Sequence, residues 1–91
     1  MRTIFKYKIP HFANSCFSLN LPKGAKVLSF RLQNNVPVIW AMVQTTQEEK
    51  LRRFYLSYTG TEFKSEKNPF THEEFIGTLE HKGLVGHLFE V

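Results

Sequence analysis

Aspartate is absent from this chain, and cysteine occurs once, as Cys16. A single thiol excludes an intrachain disulfide and favours a reducing compartment. It also leaves a closed zinc site without a thiolate set, and His11, His72, His81 and His87 show no short metal-ligand spacing. Without aspartate, acid–base chemistry would rest on eight glutamates, nearly all of them in expected turns or at strand ends. Nucleophilic catalysis would require Cys16, or a serine, beside a histidine and an orienting carboxylate, and no local spacing supplies that set. Gly24 stands alone between Lys23 and Lys26, so no glycine-rich phosphate cradle is present. No apolar run approaches the ~18 residues of a spanning helix. Charges run through the apolar part of residues 1–8, which does not read as a signal peptide. These absences predict a soluble, cytoplasmic, non-enzymatic protein that uses no metal and no cofactor and does not enter a membrane.

What the chain does have is alternation. Phe5, Tyr7 and Ile9 alternate with Lys6 and Lys8, Phe17 and Leu19 with Ser18 and Asn20, and Leu28, Phe30 and Leu32 with Ser29 and Arg31. A period of two sends successive side chains to opposite faces of a strand. Nine Phe, three Tyr and Trp40 supply the bulk that suits a half-buried pleated surface. We expect one all-β domain over residues 1–91. It should be an antiparallel meander of six or seven strands, closed as a small barrel or folded as a sandwich, with at most one helical turn. The strands are placed at 2–9, 15–21, 26–33, 36–45, 51–58, 74–80 and 84–91.

Turn chemistry separates these segments. Pro22-Lys23-Gly24-Ala25 suits a tight turn. Asn34-Asn35 suits a two-residue hairpin, because asparagine tolerates the positive φ such turns need. His81-Lys82-Gly83 reads as a three-residue turn. Residues 59–73 show no strand period, and a patternless stretch of that length is either functional or mobile. Within it, Thr71-His72-Glu73-Glu74 has the form of a capping box for one helical turn. Lys6 and Lys8 look like guards on an edge strand, whereas the last strand has no Lys, Arg or Pro. That strand should be covered or paired across a two-fold axis, which favours a homo-oligomer.

The organisation resembles a known family. Ile4-Phe5-Lys6-Tyr7, Leu21-Pro22-Lys23-Gly24-Ala25-Lys26-Val27-Leu28-Ser29, Gln33-Asn34-Asn35 and Ile39-Trp40-Ala41-Met42-Val43 come first, in order. Tyr58-Thr59-Gly60, Phe75-Ile76-Gly77-Thr78 and Val85-Gly86-His87-Leu88-Phe89-Glu90 follow. This order is similar to that of small, functionally uncharacterised proteins common in bacteriophage and prophage genomes. The Leu-Pro-Lys-Gly-Ala-Lys-Val-Leu-Ser stretch and the Trp-Ala pair are its most specific parts, and residues 45–53 and 61–74 depart from it. The resemblance implies a phage accessory protein acting in the host cytoplasm.

Candidate site residues come from the hairpin register. Across Asn34-Asn35, Gln33 meets Val36, Arg31 meets Val38, Ser29 meets Trp40 and Val27 meets Met42, while Leu28, Phe30, Leu32, Ile39, Ala41 and Val43 face the core. Ser29, Arg31, Trp40 and Met42 then share a mixed face. Trp40 there is open to three readings: intrachain core, a subunit interface in which Trp, Met and Arg are enriched, or an aromatic platform for a base. In the last hairpin, Gly77 should meet His87, which shares a face with Phe75, Leu79, Val85 and Phe89. A lone histidine there is more often a hydrogen-bonded core residue than a ligand. A net charge of +4 raises the chance of an anionic partner through its long-range field.

Three functions follow as expectations. The first is a phage protein that binds and blocks a host protein or other host macromolecule, by strand addition or through the Trp40 face. The second is a sponge for an anionic nucleotide, held by Trp40, Arg31 and Arg53 under a lid that includes Lys64. The third is nucleic-acid binding through a basic sheet face.

Overall fold

A computed structural model describes residues 1–64 and 74–91. Seven antiparallel strands form: β1 (Arg2–Lys8), β2 (Cys16–Pro22), β3 (Lys26–Gln33), β4 (Val36–Gln44), β5 (Glu49–Tyr58), β6 (Glu74–His81) and β7 (Leu84–Glu90). They divide into a three-stranded sheet ordered β1-β4-β3 and a four-stranded sheet ordered β2-β5-β7-β6. The two sheets pack as a sandwich, and no helix occurs among the described residues. Only β3–β4 and β6–β7 are hairpins; β1 and β2 each pair with a strand far along the chain, so the order is not that of a simple meander. The capping-box segment lies outside the described residues except for Glu74, which opens β6.

Alternation works as the period requires. Ile39, Ala41 and Val43 of β4 turn inward to meet Phe54, Leu56 and Leu88 of the other sheet, all of them essentially solvent-free. Phe17 stacks on Phe54 with ring centroids 5.5 Å apart. The segment 9–15 crosses between the sheets and is tied to β5. Tyr58 donates its hydroxyl to the Phe12 carbonyl at 2.8 Å, and its amide donates to Asn14 Oδ1 at 2.8 Å. Phe12 thereby lies over Gly86. A Cβ at that position would meet Phe12 Cζ at 2.8 Å and Leu56 Cδ1 at 3.0 Å, so glycine is what lets the ring approach the strand.

Three expectations are corrected. The first concerns β3 and β4, which keep the expected register from Gln33 opposite Val36 to Ser29 opposite Trp40, and then slip. A bulge between Val27 and Ser29 makes Leu28 the extra residue, as bulges insert one unpaired residue and re-aim those beyond it. Leu28 is 46% exposed rather than core, Val27 faces inward opposite Ala41, and Lys26 takes the place opposite Met42. Leu32, also expected in the core, is 37% exposed at the end of β3.

The second correction is the last turn. It has two residues, not three: Lys82 at φ 54° and Gly83 at φ 79° close a hairpin flanked by His81 and Leu84. Positive φ at both central residues gives the twist that matches the strands. With a second bulge between Phe75 and Gly77, Thr78 meets His87 and Leu79 meets Gly86, so Leu79 leaves the His87 face.

The third correction concerns β7, which is not an edge. It sits between β5 and β6 with both sides paired, so it needs neither cover nor a two-fold partner. β4 is central in its sheet and covered by a second layer on one face only. Its outer residue Val38, flanked by Lys8 of β1 and Arg31 of β3, is 1% exposed.

Candidate functional site

The outer face of the three-stranded sheet is built in rows across β4. Lys8, Val38 and Arg31 form one row, Lys6, Trp40 and Ser29 the next, then Ile4, Met42 and Lys26, and finally Arg2 beside Gln44. The inward positions of β1 are Thr3, Phe5 and Tyr7, so all five cations of this sheet point outward. Its three strands contain no carboxylate. The bulge at Leu28 contributes directly, since it exchanges Val27 for Lys26 opposite Met42.

Trp40 and Met42 are half-buried on this face, with no second sheet above them. The Lys6 ammonium reaches across β4 and donates to Gln33 Oε1 at 2.5 Å. Arg31 is exposed. The result is an apolar centre, Trp40 with Met42, edged by positive charge. Such an arrangement can hold an anion against an aromatic surface.

Ser29, Arg31, Trp40 and Met42 therefore come together. Arg53, Lys64 and His87 do not join them, because Arg53 and His87 belong to the four-stranded sheet and Lys64 lies in the segment after β5, bonded to Tyr55 of that sheet. Arg53 is exposed on the outer side of β5, where its carbonyl accepts from the Val91 amide at 3.0 Å. Lys64 is exposed, and its amide donates to the Tyr55 hydroxyl at 2.8 Å. Both ring nitrogens of His87 are engaged, Nε2 with Thr59 Oγ1 at 2.7 Å and Nδ1 with Thr78 Oγ1 at 2.9 Å. An imidazole held on both sides positions threonines and is not poised as a base. The nucleotide site of Trp40, Arg31, Arg53 and a lid is not assembled by this topology, and the lid residues 65–73 lie outside the described residues.

The rest of the molecule offers less. His11 Nε2 is 3.0 Å from Ser15 Oγ, and no carboxylate among the described residues is bonded to that imidazole. Cys16 is exposed at the start of β2. Among the described residues, no three metal-ligating side chains converge. A groove of about 470 Å³ lies along the seam between β3 and β6, two edges that face each other without pairing. A smaller one, about 280 Å³, opens at the end of the sandwich beside Phe12 and His81. Residues that sequence reasoning missed on the Trp40 face are Arg2, Lys6, Lys8 and Lys26. The first three share one period-two series with Ile4 and were legible as a basic face, whereas Lys26 joins only through the bulge.

The fold and this face define a two-sheet β domain with one strongly basic, aromatic-centred surface. Residues 1–91 match the family described as Domain of unknown function (DUF7352), and the chain belongs to that family. No curated protein and no solved structure matches it. Among the described residues, no helix is long and apolar enough to cross a membrane.

Proposed function

We propose that this protein is a non-enzymatic binding module whose outer face on the β1-β4-β3 sheet engages a negatively charged macromolecule. In the phage and prophage setting that the sequence resembles, that macromolecule belongs to the host and is blocked by being bound in the host cytoplasm. One observation carries the reading: five cations and Trp40 share a face whose strands hold no carboxylate. A solvated face usually mixes charges of both signs. A one-sign field around a half-buried, accessible aromatic raises the encounter rate with anionic partners and supplies the contact that holds them.

The test is retention of cell-extract components on immobilised wild-type protein, compared with Arg31→Glu and Trp40→Ala. The expected result is a retained component that elutes as salt rises and is lost from both variants while their circular dichroism is unchanged. Equal retention by wild type and both variants would place the binding surface elsewhere.

A further inference from the structure

We infer that the Trp40 face is laid out for single-stranded nucleic acid, with a base on the indole and the phosphate backbone running along the β4 direction. The inference rests on the proposed anion-binding role of this face and names its partner. Three features of the layout favour that partner.

The first is the repeat. Each of the four rows across β4 has at least one basic residue at its backbone positions: Arg31 with Lys8, then Lys6, whose ammonium reaches over to Gln33, then Lys26 and Arg2. Rows of outward residues are separated by two strand residues, about 6.7 Å. A regular ladder of charge along one axis suits a polymer whose own charges recur regularly, as successive phosphates of an extended strand do. An acidic protein surface has no such repeat to match.

The second is the arrangement of charge around an apolar line. The strands that bear the cations, β1 and β3, flank β4 with their backbones about 9.6 Å apart. Trp40 and Met42 occupy the middle. A strand that follows β4 can set a base on Trp40 while its phosphates meet either rail. Base–aromatic stacking is sequence-tolerant, because every base has a π-face.

The third is width. A duplex major groove, about 12 Å wide, admits a helix or a two-stranded ribbon. Three strands side by side, with cations on both outer ones, fit a single strand better than a groove.

Trp40 is the chain's one tryptophan, so its fluorescence reports on this face alone. The experiment titrates the full chain with three probes: a short oligothymidylate, a duplex of the same length, and poly-glutamate. The expected result is quenching of Trp40 by oligothymidylate, tighter than by the duplex. With about four phosphates neutralised, the single-strand salt slope should be near −3, a loss of roughly 50-fold between about 50 and about 200 mM salt. Arg31→Glu should weaken binding of oligothymidylate, as followed by quenching, by at least about tenfold, since it removes one contact and adds a repulsion. Lys50→Glu makes the same change in net charge on the other sheet, where Lys50 is an exposed side chain beside Glu48. It should leave the affinity within about twofold, as expected of screened surface charge.

Trp40→Tyr, followed by anisotropy of a labelled oligothymidylate, should retain most of the affinity that Trp40→Ala loses, because both rings present a face. Poly-glutamate bound as tightly as oligothymidylate, with Arg31 required, would overturn the nucleic-acid assignment and leave the anion-binding face standing. Duplex bound more tightly than the single strand would overturn it too. Binding of none of the three probes would overturn both the assignment and the role of the face on which it rests.

Discussion

The two sheets of this domain share a core and differ in almost everything outside it. The three-stranded sheet carries Arg2, Lys6, Lys8, Lys26 and Arg31 and no carboxylate, whereas the four-stranded sheet carries Lys50, Arg52 and Arg53 against Glu49, Glu74, Glu80 and Glu90. In the larger sheet, charge is used internally. Arg52 Nε and Nη2 meet the two oxygens of Glu90 at 2.6 Å each, and Nη1 donates to the Ala25 carbonyl. That network pins the β2–β3 turn to β5 and β7. In the smaller sheet, among the described residues, Lys6 is the one cation bonded to another side chain, and that partner is the neutral Gln33. Charges of one sign gathered on one face repel one another and cost stability. One sheet therefore uses its charged residues within the fold, and the other presents them at its surface.

The sharpest way to break this contrast is to truncate one aromatic from each sheet. Phe54→Ala removes a solvent-free ring that stacks on Phe17. It should cost about 3–5 kcal/mol, a large part of the roughly 5–14 kcal/mol expected of a domain this size. Trp40→Ala, on the open face, should cost about 1 kcal/mol and stay folded while losing binding. Denaturant melts of the two variants decide the matter. Equal losses would mean that Trp40 is core after all, and the smaller sheet would then be no freer than the larger.

Next in size is the Arg52–Glu90 pair, whose side chains are 20% and 21% exposed. Glu90→Ala leaves a largely buried guanidinium without its carboxylate. It should destabilise by roughly 2–3 kcal/mol, between a charged hydrogen bond and a fully buried pair. Arg31→Ala, an exposed cation on the other sheet, should fall within about 0.5 kcal/mol of wild type. If Arg31→Ala were the more damaging of the two, the division of labour between the sheets would be reversed. Gly86→Ala should cost about 1–2 kcal/mol by overpacking, because the new methyl meets Phe12 and Leu56. A melt unchanged from wild type would show that Phe12 yields without loss.

The strands were legible in the sequence because their period is local, and so was the Asn34-Asn35 turn, whose φ values of 50° and 65° are what asparagine tolerates. Three features were not. The bulge at Leu28 sits inside a run, Leu28-Ser29-Phe30-Arg31-Leu32, whose alternation is unbroken. The break comes from how that run pairs with β4, a property of two strands rather than one. Sheet membership is likewise long-range. Arg31 and Arg53 look equally suited to one anionic site until β3 and β5 prove to lie in different sheets. The interior place of β7 depends on β5 joining it across the segment between β5 and β6, and no residue of β7 announces that. The candidate site was therefore half visible: Ser29, Arg31, Trp40 and Met42 followed from one hairpin, while the β1 cations awaited the β1–β4 pairing.

The smallest expected effect tests whether the smaller sheet has an inner face as settled as its outer face is open. Tyr7 lies on that inner side, packed against the core. Burial, and then the nearby Glu49 carboxylate, push its pKa above the ordinary tyrosine range, since both disfavour the phenolate. The folded chain therefore holds this proton to higher pH than the unfolded chain does. The stability linked to it is fully present below the ordinary tyrosine value of about 10 and is lost as pH rises through the raised value. Tyr7→Phe cannot ionise, so it should lose less stability than wild type between about pH 8 and about pH 11. Denaturant midpoints of both proteins at the two pH values give the double difference, in which the titration of every other group cancels. The same alkaline loss in both would mean that Tyr7 stands in water, and the β1 strand would then be held to the domain through its pairing with β4 alone.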